Sequence, residues 1–157
     1  MIHVIFVCKG NICRSPMAEA IFRKKVQDVG LANEISVDSA GTGNWHIGNP
    51  PHPGTIEMLK QHSIPHEDLI ARQIQPEDLQ KFNYIVVMDE QNMAMIRNLG
   101  NVRQQMFRLL ELVPSIPENN VPDPYYDGQF DRVYEWISLG CDALLEKIQK
   151  DHHLDTV

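Results

Sequence analysis

Val4-Ile5-Phe6-Val7-Cys8-Lys9-Gly10-Asn11-Ile12-Cys13-Arg14-Ser15-Pro16 places an apolar run, a short loop and a helix start in immediate succession. Val4 to Val7 is continuous, rich in β-branched residues and ended by a turn at Gly10-Asn11, which suits a strand buried on both faces. Ser15 can cap a helix and Pro16 can take its first position, with Met17, Ala18, Ile21, Phe22, Val26 and Val29 following at helical spacing. Working outward, further strands fit residues 35–39, 84–88 and 105–110. Helical segments fit 55–62, 76–79, 91–99 and the amphipathic stretch from Phe130 to Ile148, which puts Cys141 on a buried stripe. Two long loops, 41–53 and 114–128, are rich in glycine and proline. Strands alternating with helices imply right-handed parallel β-α-β units, hence an α/β fold whose sheet is covered by helices on both faces.

Composition bounds the rest. A chain of 157 residues buries about two-thirds of the surface it exposes unfolded, so one domain over 1–157 is expected without a stabilising metal or disulfide. The net charge of −7, with no Lys/Arg run, argues against duplex DNA and anionic membrane surfaces as partners. No window approaches the roughly 20 apolar residues of a membrane span. The start Met1-Ile2-His3-Val4 lacks signal-peptide features, so a cytoplasmic chain with reduced thiols is the expectation. The three cysteines, Cys8, Cys13 and Cys141, read as thiols. The histidines show no metal-ligand spacing and read as surface residues.

In an open α/β sheet, ligands bind beyond the carboxyl ends of the strands, and the first such end carries Cys8 to Ser15. A loop between a strand and a helix N-terminus turns backbone N–H groups inward, and the helix dipole adds positive charge, which together make an anion site. Gly10 and Asn11 are suited to left-handed backbone angles in so tight a cradle. The loop is not a nucleotide-binding P-loop, which ends in Gly-Lys-Ser/Thr. A thiol at Cys8, facing amides and the Arg14 guanidinium, is favoured as a thiolate, and the planar fork of Arg14 matches two phosphate oxygens. Such a loop holds a tetrahedral oxyanion and attacks it. Read singly, Cys8 is more readily a small buried residue and Arg14 a surface charge; their spacing in this setting favours chemistry.

Cys8 to Pro16, Ser39-Ala40-Gly41-Thr42-Gly43 with Trp45-His46-Ile47-Gly48, and Asp123-Pro124-Tyr125-Tyr126 resemble the low-molecular-weight protein tyrosine phosphatases, particularly the bacterial members. The resemblance runs in order over nearly the whole chain. It implies a single three-layer domain with a four-stranded parallel sheet, flavodoxin-like and of the phosphotyrosine protein phosphatase I type. It also implies hydrolysis of protein phosphotyrosine without metal or other cofactor, through a phosphocysteine intermediate. Cys8 then matches the nucleophile, while Arg14 and the loop amides from Lys9, Gly10, Asn11, Ile12 and Cys13 surround the substrate phosphate. Ser15 matches the serine that hydrogen-bonds the thiolate, and Asn11 the asparagine that holds the loop through Ser39. Asp123, flanked by Pro122 and Pro124, matches the general acid; without the motif it is one of three choices with Asp89 and Asp127.

Trp45, Tyr125 and Tyr126 fall on the two long loops and either grip a phenyl ring or pack those loops. Cys13 follows Cys8 closely enough for a protective disulfide, a hypothesis resting on spacing and family precedent. Lys9 occupies a lip position that is usually apolar in the family; it attracts acidic residues, tunes Cys8 or simply reaches solvent. No role carries over to His66. Arsenate reductases and protein-arginine phosphatases share the loop. The first use further cysteines in a central segment, absent here between Cys13 and Cys141, and the second commonly carry threonine where Ile12 stands. A monomer acting on phosphotyrosine proteins is the expected whole.

Overall fold

The structure is a computed structural model that describes residues 1–154; the last three residues of the domain expected over 1–157 lie outside the described residues. Four strands, β1 (Ile2–Cys8), β2 (Ile35–Gly41), β3 (Tyr84–Val87) and β4 (Gln105–Arg108), form one parallel sheet in the order β2-β1-β3-β4. The helices are α1 (Arg14–Asp28), α2 (Pro53–Gln61), α3 (Asp78–Lys81), α4 (Glu90–Leu99), α5 (Pro124–Asp127) and α6 (Phe130–Asp151). The fourth strand ends at Arg108, two residues short of the sequence expectation, because Leu109–Leu112 winds into a 3-10 turn that buries Leu109 and Leu110.

The alternation of side chains along a strand divides the core. Val4, Phe6 and Cys8 face a cluster built with α1, α2 and α6, including Met17, Phe22, Ile137 and Cys141. Ile5 and Val7 face the opposite layer, where Leu79, Met93 and Ile96 of α3 and α4 close the second cluster. Both faces of β1 and β3 are therefore dry, which explains their unbroken apolar runs. Phe6 and Phe22 meet edge to face at 5.6 Å.

The chain leaves β1 toward β2 on one side, then crosses back to β3 on the other. That reversal puts the switch point at the carboxyl ends of β1 and β3, where loops diverge and leave a crevice. Cys8 ends one strand beside it, and Asp89 follows the other. Among the described residues no helix is long and apolar enough to cross a membrane.

Candidate active site

The loop from Lys9 to Cys13 turns the chain from β1 into α1. Asn11 alone within it is left-handed, at φ 58°; Gly10 is not, contrary to the sequence expectation. Gly10 is constrained by space instead, since a Cβ there would stand 3.1 Å from His46 Cδ2. Gly41 is equally confined: a Cβ would lie 3.0 Å from Lys9 O as the end of β2 presses on the loop. Thr42 N and Gly43 N donate to Cys8 O and Lys9 O, both at 2.9 Å, so β2 and its following loop brace the cradle from outside.

Ser15 does not cap the helix. The first helical residue is Arg14, the capping position falls on Cys13 with no side-chain cap bond, and Pro16 comes third. Proline is tolerated there because the first-turn N–H groups lack intrahelical partners anyway. The Ser15 hydroxyl is drawn inward, 3.0 Å from Cys8 Sγ, and receives Asn11 Nδ2 at 2.7 Å. Asn11 Nδ2 also donates to Ser39 Oγ at 3.0 Å, and Asn11 Oδ1 accepts Arg72 N–H at 2.9 Å. Every polar atom of the Asn11 amide thus serves to hold the left-handed turn. Its backbone N–H points to Cys8 Sγ at 3.3 Å.

Arg14 is 2% exposed. Its Nη1 donates to Asp89 Oδ2 at 2.6 Å and to Val121 O at 3.0 Å, and its Nη2 lies 3.5 Å from Asp123 Oδ2. The Nε is buried without a partner, which leaves this cation with unused capacity for an anion. Asp89 is the N-cap of α4, accepting Asn92 N–H through Oδ1 at 2.8 Å while its other oxygen takes Arg14. It is committed to aiming the guanidinium. Asp123 caps the single-turn α5 by accepting Tyr125 N–H at 3.1 Å, and Asp127 caps Gln129 N–H at 3.0 Å on the exposed surface.

Cys8, Lys9, Gly10, Ile12, Cys13, Arg14, Asp123 and an aromatic rim line a cleft of about 430 Å³. Trp45, Tyr125 and Tyr126 form that rim with 63%, 54% and 70% of their surface exposed, and they also touch the loops, the Tyr125 ring lying 6.5 Å from that of His46. Lys9 is not simply in solvent. Its Nζ donates to Tyr126 Oη at 2.8 Å and sits over the Trp45 ring at 5.6 Å, tying the two long loops together. That hydrogen bond holds the Lys9 ammonium above the usual lysine range.

The sequence reading missed two histidines here. His46 lines the cleft against Gly10, and His52 caps α2 through Nδ1, stacks on Phe130 at 5.0 Å and meets Tyr125 at 6.0 Å. The His52-Pro53 pair before the α2 pattern was the available signal. All three cysteines are free and buried. Burial, with a smaller contribution from the Cys8 charge, pushes the Cys13 thiol up to about 12. Burial likewise pushes the Cys141 thiol upward, its Sγ directed at Ala18 O in the core. Among the described residues no group of three or more His, Cys, Asp or Glu could hold a metal ion.

A strand-loop-helix cradle with a buried thiol and arginine, opening at the switch point of a four-stranded parallel sheet, has the form of an anion site. Residues 3–154 match the low molecular weight phosphotyrosine protein phosphatase family, and the chain belongs to it. It is 48% identical over 156 residues to the low molecular weight protein-tyrosine-phosphatase YfkJ of Bacillus subtilis, covering 98% of this chain and 100% of that one. The crystal structure of YfkJ superposes with a TM-score of 0.94 over 97% of each chain. The low molecular weight protein-tyrosine-phosphatase PtpA of Staphylococcus epidermidis is 45% identical over 155 residues, 98% of each chain. A protein tyrosine phosphatase from Entamoeba histolytica, solved with Hepes in its active site, shares 31% identity at a TM-score of 0.90, covering 96% of this chain and 99% of that one.

Proposed function

We propose that this tyrosine phosphatase works through a phosphocysteine on Cys8, with Asp123 as its general acid and base. The observation carrying the proposal is the pairing of Cys8 Sγ, held by Asn11 N–H and Ser15 Oγ, with a buried Arg14 whose Nε has no partner. The Asn11 N–H that faces the sulfur and the Arg14 guanidinium supply positive charge for a phosphate's equatorial oxygens as charge shifts in the transition state. The buffer in the Entamoeba relative carries a sulfonate, a tetrahedral oxyanion like a phosphate monoester.

Cys8 sulfur attacks phosphorus, and the bond to the tyrosine oxygen breaks as Asp123 gives that oxygen a proton. The ionised Asp123 then takes a proton from water, whose oxygen attacks phosphorus; the S–P bond breaks, releasing phosphate and the thiolate. Asp123 suits both steps because its position is fixed by Pro124, by the cap to Tyr125 N–H and by Arg14. The exposed rim of Trp45, Tyr125 and Tyr126 fits an aryl ring standing over the cradle, which selects phosphotyrosine over shorter phosphoserine. Ile12, packed against Ala71 and Phe130, keeps the adjoining wall apolar.

The arsenate reductase alternative is disfavoured because Cys141 lies fully buried in the core, leaving Cys13 as the one other thiol at the cleft among the described residues. Three free thiols fit a reducing cytoplasm. The test is hydrolysis of p-nitrophenyl phosphate in EDTA. Activity is expected in the parent and absent in Cys8→Ser, which should retain phosphotyrosine proteins on a column. A parent that requires added metal, or an active Cys8→Ser, overturns the mechanism.

A further inference from the structure

We infer that Glu19 is a positioning residue for the Cys8 loop, its carboxylate orienting the Ser39 hydroxyl and, through it, Asn11 and Ser15. This rests on the proposed role of Cys8 for its meaning, although its geometry stands apart. Glu19 projects from α1 with its side chain 13% exposed, and Ser39 Oγ donates to Glu19 Oε1 at 2.6 Å. A hydroxyl has one proton, so a Ser39 proton committed to Glu19 leaves the lone pairs of Ser39 facing Asn11 Nδ2 at 3.0 Å. The other Nδ2 proton of Asn11 goes to Ser15 Oγ at 2.7 Å. Ser15, having accepted there, has its own proton free; Cys8 Sγ at 3.0 Å is closer than the alternative acceptor, Ala40 O at 3.4 Å. A line of polar atoms runs from Glu19 to Cys8 sulfur: Glu19 fixes the Ser39 end as an acceptor for Asn11, and the Asn11 amide, its Oδ1 held by Arg72 N–H, sets the direction from there to Ser15.

Glu19 has no committed cation. Arg23 Nη1 stands 3.8 Å from Oε2, but the same guanidinium makes two bonds of 2.9 Å to Asp68. Asp38, beside Ser39 on β2, is also anionic and is paired with Arg72, which bonds Asp78 as well. Burial, with smaller repulsion from Asp38 and Asp68 set against the Ser39 bond and Arg23, lifts the Glu19 carboxyl to about 7. The charge that strengthens the Ser39 bond is therefore present above neutrality and lost below it.

Glu19→Gln keeps the volume and an oxygen acceptor for Ser39 but removes the charge at every pH. Turnover of p-nitrophenyl phosphate by parent and variant should be equal at about pH 5.5 and differ about threefold in the parent's favour at about pH 8, with little change in KM. Alkylation of Cys8 by iodoacetamide, read by mass spectrometry, should show the same pH-dependent ratio without requiring any turnover. In a Ser39→Ala background Glu19→Gln should have no further effect, because the line is already cut. Ratios that do not change with pH in either assay, or an undiminished effect without Ser39, overturn the inference. Failure of the Cys8 mechanism shows separately, as a parent inactive on the phosphate ester whose alkylation still reports on Glu19.

Discussion

Arg14 Nη1 stands 2.6 Å from Asp89 Oδ2, so the buried cation of the first β-α unit is aimed by the helix cap of the third. Asp89→Asn keeps the shape and the cap while removing the charge that orients the guanidinium. A charge-assisted bond of this kind contributes about 1.5–3 kcal/mol. KM for p-nitrophenyl phosphate and the inhibition constant of inorganic phosphate should both rise about tenfold, the lower part of that range. Phosphate inhibition matching the parent's would show that Val121 O, Asp123 and packing hold Arg14 without the Asp89 charge.

Asp123 lies 3.5 Å from Arg14 Nη2 and caps the turn that carries Tyr125 and Tyr126. As general acid it matters most when the leaving oxygen needs a proton. Asp123→Asn, which can still accept from Tyr125 N–H, should lose roughly 100-fold in kcat on phenyl phosphate and under about tenfold on p-nitrophenyl phosphate. Equal losses on the two esters would remove Asp123 from the proton transfer.

The cradle was legible in the sequence because its parts are contiguous: strand, loop and helix follow one another from Val4 to Pro16, and local rules decide them. Its refinements were not, because they come from distant segments. Ser15 looks like a cap until β2 brings Ser39 beside Asn11 and turns the hydroxyl inward. Gly10 looks like the flexible residue until His46, on the loop after β2, fills the space above it. Asp89 was visible as a strand end, yet its bond to Arg14 depends on the crossover that sets β3 beside β1. Glu19 gave no signal at all: it reads as an ordinary polar position on α1, and its burial follows from the packing around it.

Cys13 lines the same cleft as Cys8, and burial pushes its thiol up to about 12, so it is a weak nucleophile at neutral pH. A protective disulfide would have Cys13 condense with a Cys8 sulfenic acid, forming an S–S bond with loss of water and forestalling further oxidation, a step that its raised thiol slows. After peroxide treatment, thiol reductant should restore most of the parent's activity and little of that of Cys13→Ser. Equal recovery would dismiss a protective disulfide.

Glu19 also leaves a thermodynamic signature that needs no catalysis. Its carboxyl is raised from an ordinary 4.5 to about 7, so between those values the native protein holds a proton that the unfolded chain has shed. Unfolding free energy then falls as pH rises through that window and levels off above it. Glu19→Gln, neutral throughout, should match the parent at about pH 4.5 and exceed it at about pH 8 by on the order of 1–3 kcal/mol, measured by urea unfolding. A charge that costs stability yet supports the orientation of Ser39, Asn11 and Ser15 is the exchange expected where a site trades folding energy for geometry. A stability difference that is the same at both pH values would place the Glu19 carboxyl in solvent-like surroundings and detach it from the Cys8 loop.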